Sequence, residues 1–119
     1  MKKEEKVSYS DKIEDIERII EIVRNYSFNE LKKTLHYEES ILSKDTNEEL
    51  LRETYPLFHK LKLIGLRKKL NSNENYDLYY ELDDGTAVVF AIDIRTKPPT
   101  LINAFRFSRN LRRFIEYIS

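Results

Sequence analysis

The chain has no cysteine, only two glycines and three prolines. Without cysteine there is neither a disulfide nor a thiolate metal site, which fits a reducing cytoplasm. Two glycines argue against an all-β protein built on many tight turns. No stretch approaches the roughly 18 apolar residues needed to cross a membrane. The opening MKKEEKVSYS carries charge but no apolar core, so it does not read as a signal peptide, and residues 1–9 are expected to be disordered. The sequence shows no nucleophile–base pair, glycine-rich phosphate loop or nucleotide fingerprint. His36 and His59 fall on different expected helices with no ligand motif around them, so no metal and no cofactor is expected.

Net charge is zero over the 119 residues, which argues against a general nucleic-acid binder, but the charge is segmented. Residues 11–53 are net −5, residues 54–70 net +5, residues 71–95 net −5 and residues 96–119 net +4. If an anionic partner exists, the two basic segments, Lys60–Lys69 and Arg106–Arg113, are the surface expected to meet it.

The most readable stretch is Tyr76–Arg95, YDLYYELDDGTAVVFAIDIR. A three-residue loop, Asp83 to Gly85, pairs Tyr80 with Val88, Leu78 with Phe90 and Tyr76 with Ile92. Apolar side chains then face apolar side chains, a match that a one-residue slip destroys. Gly at the third loop position suits a type I turn closed by a bulge, because that position needs positive φ. The expected buried face is Tyr76, Leu78, Tyr80, Leu82, Val88, Phe90, Ile92 and Ile94. The second strand is apolar on both faces and belongs inside the sheet.

Helical spacing of Ile13, Ile16, Ile19, Ile20 and Val23 predicts a helix over Asp11–Tyr26 capped by Ser10. Capping-box patterns at Ser27–Glu30 and Thr46–Glu49 predict two more. The second carries Phe28, Leu31 and Leu35. The third carries Leu50, Leu51, Thr54, Phe58 and Leu61, is kinked or split at Pro56, and ends at Gly65. A short strand follows at Leu66–Leu70, then a polar loop at Asn71–Asn75. After the break at Lys97–Thr100, Leu101–Phe107 alternates weakly like a strand. Ala104, Phe107, Leu111, Phe114, Ile115 and Ile118 share a helical arc, and this predicts a C-terminal helix beginning near Leu101 to Ala104. The sum is one α+β domain, 1–119, with N-terminal helices, a small antiparallel sheet and a C-terminal helix.

Tyr79 lies on the less apolar hairpin face, and Arg106, Arg109 and Arg113 share one side of the expected C-terminal helix. Tyr and Arg often anchor interfaces, so these four residues, with Lys68 of the basic block, are the candidate binding residues. The resulting expectation is a small cytoplasmic, non-catalytic module that binds another macromolecule, as an inhibitor, immunity or accessory protein. Its partner is expected to be a protein, with RNA as the alternative and no membrane.

Residues 76–97, YDLYYELDDGTAVVFAIDIRTK, resemble a strand pair of the RelE/HigB ribosome-dependent mRNA-cleaving toxins, small α+β domains with helices before an antiparallel sheet. The resemblance implies RNA cleavage by basic groups on the sheet, with Lys62, Arg67, Lys69 and Arg95 binding phosphate or steadying transition-state charge. Many of those relatives have Arg near the start of the hairpin, where this chain has Asp77. The spacing of Arg52 and His59 resembles the pair in HEPN ribonucleases, but those are helical bundles, which the hairpin contradicts. Asp83, Asp93 and Lys97 loosely resemble the carboxylates and lysine of restriction-type nucleases. Asp83, however, belongs to the turn, where Asp is expected anyway.

Overall fold

The computed structural model describes residues 5–43, 47–69 and 74–119, without the side chains of residues 5, 43 and 69. In chain order the elements are β1 (Glu5–Ser10), α1 (Ile13–Val23), β2 (Lys32–Lys33), α2 (Leu35–Ser43), α3 (Glu48–Thr54), β3 (Leu61–Lys69), β4 (Glu74–Glu81), β5 (Ala87–Asp93), β6 (Thr100–Phe107) and α4 (Leu111–Ile118). The strands form one six-stranded sheet in the order β1-β3-β4-β5-β6-β2, antiparallel throughout except for the parallel β2–β6 pair. This is an α+β fold with a C-terminal helix.

The hairpin forms as its pattern requires. Tyr80 pairs with Val88, Leu78 with Phe90 and Tyr76 with Ile92, and β5 lies inside the sheet. Leu82 and Thr86 close a three-residue loop, with the Leu82 amide donating to the Thr86 carbonyl at 2.8 Å and the Gly85 amide to the Leu82 carbonyl at 2.9 Å. Gly85 has φ 87°, the left-handed value that a side chain resists.

Elsewhere tertiary contacts override local pattern. Glu5–Ser10 form an edge strand, not a disordered lead-in. Ser10 does not cap α1. Lys12 holds that position, and the Ser10 hydroxyl accepts from the Lys12 amide at 3.2 Å and donates to Asp15 at 2.6 Å. Ser27 and Glu30 make their box, with the Ser27 amide on the Glu30 carboxylate at 2.7 Å, but it opens only a 3₁₀ turn at Phe28–Glu30. The chain is then drawn onto the sheet, where the amides of Lys32 and Thr34 donate to the carbonyls of Pro99 and Leu101. Thr46 and Leu70 lie outside the described residues, as do residues 71–73. Asn47 caps α3 by accepting from the Glu49 amide at 2.9 Å. Pro56 does split the third helix. Leu61 consequently opens β3 instead of closing a helix, and Gly65 sits mid-strand. A Cβ at Gly65 would lie 3.1 Å from the Tyr9 ring, so glycine there lets Tyr9 lie across the strand. Leu101–Phe107 is strand β6, not the start of the C-terminal helix.

Each face of the sheet builds its own core. The first carries Ile64, Leu78, Tyr80, Val88, Phe90, Ile92, Leu101 and Ala104 under α1, α2, α3 and the 3₁₀ turn, whose Ile16, Ile19, Val23, Phe28, Tyr37, Leu51 and Tyr55 pack down on it. The second carries Leu63, Tyr79, Ala87 and Val89 under Leu111 and Phe114 of α4.

The first core buries phenols. The Tyr80 hydroxyl donates to the Tyr55 carbonyl at 2.8 Å, and the Tyr55 hydroxyl to the Val23 carbonyl at 2.9 Å. Burial raises the pKa of Tyr37, Tyr55, Tyr79 and Tyr80 above the ordinary phenol value. In the unfolded chain these groups ionise near pH 10, roughly the reference value. Between that value and the raised native ones, the unfolded state has lost protons that the native state keeps, so stability falls as pH rises. Unfolding midpoints should drop as pH climbs past about 10, and less steeply in Tyr80→Phe. A profile identical in the two proteins would show that Tyr80 contributes nothing to the alkaline limb.

Candidate binding surface

The start of α4 is fixed on the hairpin turn. Asn110 Oδ1 accepts from the Arg113 amide at 3.0 Å, and the Leu111 amide donates to the Gly85 carbonyl at 2.8 Å. The far end of α4 lies beside Tyr9, Ser10 and Leu63, where Ile115 and Ile118 line a small pocket with them. The helix therefore covers only half of the second face. The other half is an open cleft of about 470 Å³.

Alternation along β3 and β4 puts Arg67, Asn75 and Asp77 together on the floor of this cleft. Arg67 stands opposite Asn75, and Gly65 opposite Asp77. Asp77 is only 4% exposed. Its Oδ2 accepts from Arg67 Nε at 3.1 Å and Nη2 at 2.8 Å, and its Oδ1 accepts from Asn75 Nδ2 at 2.9 Å. Ala91, Ile102 and Phe105 supply an apolar wall, and His36 and Asn103 complete the rim. Ile102 reaches the cleft because it is the extra residue of a bulge in β6, where Leu101 pairs with Ile92 and Asn103 with Ala91.

The residues singled out by sequence scatter. Tyr79 is 5% exposed, with ring centroids 5.4 Å from Phe107 and 5.9 Å from Phe114, so it packs the second core instead of anchoring a surface. Arg106, Arg109 and Arg113 do not form one helix stripe, because β6 is a strand. Arg106 leaves β6 toward Thr86 at 3.0 Å, and Arg109 lies in the following loop, over the Phe114 ring at 5.1 Å. Arg113 alone is on α4, and it is exposed. Lys68 is exposed on β3, opposite Lys6 and Glu74. Lys62 is the bulged residue near the start of β3, about 17 Å along the strand from Arg67. The side chain of Lys69 lies outside the described atoms. Arg95 is bound to Asp93 through Nε at 3.0 Å and Nη2 at 2.9 Å, and that hydrogen bonding lowers the Asp93 pKa.

The charge blocks cancel in space. Lys60 pairs with Asp83 at 2.9 Å, Arg112 with Glu81 at 3.0 Å and Arg106 with Asp84 at 3.8 Å. Both basic segments thus meet the acidic hairpin tip, around a second open cleft of about 500 Å³ that also holds His59 and Lys62. Exposed pairs like these add little stability. Their effect is to interleave acids into what the sequence suggested was an anionic-partner surface. The two histidines sit in different clefts, and among the described residues no group of three or more His, Cys, Asp or Glu could hold a metal ion. No helix among them is long and apolar enough to cross a membrane.

No family model matches this chain, and no curated protein or solved structure does. The Arg67–Asp77–Asn75 cluster is not visible in the sequence, because the helical spacing that runs through Leu61 hides the register between β3 and β4. The signal that could have found it was Asp77, a carboxylate amid the apolar residues of the hairpin.

Proposed function

We propose that the chain is a non-catalytic module that binds another protein through the uncovered half of its second sheet face, in an inhibitory, immunity or accessory role. The Arg67–Asp77–Asn75 network on the floor of an open, partly apolar cleft carries this reading. Both Asp77 oxygens already accept hydrogen bonds, so a partner that closes the cleft leaves no unpaired carboxylate beneath it. Covering Ala91, Ile102 and Phe105 removes apolar surface from water, and Arg is a residue type that often anchors interfaces. The ribonuclease reading instead needs Lys62, Arg67, Lys69 and Arg95 to converge on one phosphate.

The test uses the full chain as bait in its native cell, then the purified partner in a binding assay. Ile102→Arg and His36→Glu on the cleft rim should weaken binding about tenfold or more, the scale of a disrupted hot spot. Arg112→Glu, at the hairpin tip, should leave it unchanged, and circular dichroism should show all three folded. Binding indifferent to both rim variants would overturn the assignment. So would cleavage of purified RNA that Arg67→Ala abolishes.

A further inference from the structure

The two edges of the sheet are treated differently. The outer side of β6 is masked along much of its length. β2 pairs with it at Thr100 and Leu101, and Thr34 Oγ1 donates to the Ile102 carbonyl at 3.1 Å. Asn103 Oδ1 accepts from the Ala104 amide at 2.9 Å. Among the described residues the outer side of β1 has no such cover, since β1 ends the strand order and its pairings are all with β3.

Hydrogen-bond parity identifies the groups left open. Leu82 and Thr86 form a bonded pair, so even-numbered residues of β4 bond to β5 and odd-numbered ones to β3. Gly65 and Arg67 therefore spend their bonds on β4, and Ile64, Leu66 and Lys68 bond to Ser10, Ser8 and Lys6. The amides and carbonyls of Val7 and Tyr9 point outward. Such an edge is a template for another strand.

We infer that this edge pairs with β1 of a second copy of the chain, antiparallel, about a two-fold axis at Ser8. The choice of a second copy follows from self-complementarity. In that register Val7 of each copy opposes Tyr9 of the other, and these are the residues whose bonding groups face outward, so each pair exchanges both of its hydrogen bonds. On the second face the pairing sets an aliphatic side chain beside an aromatic one. On the first face Ser8 meets Ser8, and Lys6 meets Ser10. Ile13, three residues beyond Ser10 and one turn before the buried Ile16, is a large apolar side chain left 70% exposed near the end of this strand. The result is a continuous twelve-stranded sheet that leaves the cleft of each copy free. Two-fold pairing of identical edges is also the simplest closed assembly.

The absence of cysteine makes the register directly testable. Ser8 faces itself across the axis as a non-bonded pair with Cα atoms about 4.5 Å apart, within reach of a disulfide. The full chain should run in light scattering at about twice 14.3 kDa. Ser8→Cys should give a covalent dimer under mild oxidation with diamide. Lys6→Cys alone should give little, and Lys6→Cys combined with Ser10→Cys should restore it. Ser8→Arg, which sets two cations against each other at an exposed position, should raise the dimer dissociation constant at least tenfold while leaving the circular dichroism spectrum unchanged. A monomer at every accessible concentration would overturn the inference. Cross-linking through Lys6→Cys alone that exceeds Ser8→Cys would overturn the register.

Discussion

Phe90→Ala should lower stability by about 3–5 kcal/mol, the usual range for removing a fully buried ring. Phe90 is fully buried on the inner strand β5 and faces the first core. Its ring centroid lies 5.1 Å from Tyr80, 5.7 Å from Tyr55 and 6.4 Å from Phe28, each contact edge-on. Those partners come from β4, the end of α3 and the 3₁₀ turn, so the cavity opens where sheet and helical layer meet. Neither layer can collapse to fill it without moving backbone. Domains of this size are stable by about 5–15 kcal/mol, so the variant forfeits a large fraction of the total. Urea unfolding should show the loss as a lower midpoint at unchanged slope. An unchanged midpoint would mean that the ring is not held in this core.

Gly85→Val should cost about 2–3 kcal/mol, combining left-handed backbone strain with damage to a helix cap. The two terms coincide at one residue. Gly85 holds φ 87°, and a Cβ there would come 2.9 Å from the Nδ2 atom of Asn110. Asn110 caps α4, and the carbonyl of Gly85 accepts from the first amide of that helix. Valine therefore strains the turn and pushes on the helix anchor together. Hydrogen exchange should quicken in α4 as well as in the hairpin. Gly85→Asn, a residue that visits this backbone region, should recover part of the loss. Faster exchange confined to the turn would separate the hairpin from the helix and contradict the coupling.

The hairpin was legible because two constraints agree on it. Apolar pairing admits one register, and Gly85 sits where that register needs positive φ. Other elements were obscured by mixed periodicity. In β6, the bulge at Ile102 interrupts the alternation, while Ala104, Phe107, Leu111 and Phe114 happen to fall at helical spacing across the strand–helix boundary. In β3, Leu61 continues the helical row of Leu51, Thr54 and Phe58, and only the break at Pro56 hinted otherwise. β1 has the apolar Val7 and Tyr9 at strand spacing, but they report burial only once Gly65 and α4 are known to lie beside them. The candidate cleft depends on the pairing of β3 with β4, a relation between segments that neither one signals alone. The charge blocks were legible as counts but not as neighbours, since Lys60, Arg106 and Arg112 meet Asp83, Asp84 and Glu81 only through the fold.

The pairing of β1 with β3 has a consequence for how the molecule is made. Tyr80 finds Val88 eight residues later, but Tyr9 finds Gly65 only after the whole helical layer. During synthesis β1 is made well before β3, the strand that accepts it, and its closure waits on contacts far along the chain. In that interval it is an alternating segment with both edges open, the kind of stretch that associates wrongly. Lys6 places a charge on it, at a position that stays exposed in the finished fold. A gatekeeper of this sort protects the nascent chain and adds nothing to the stability of the folded one.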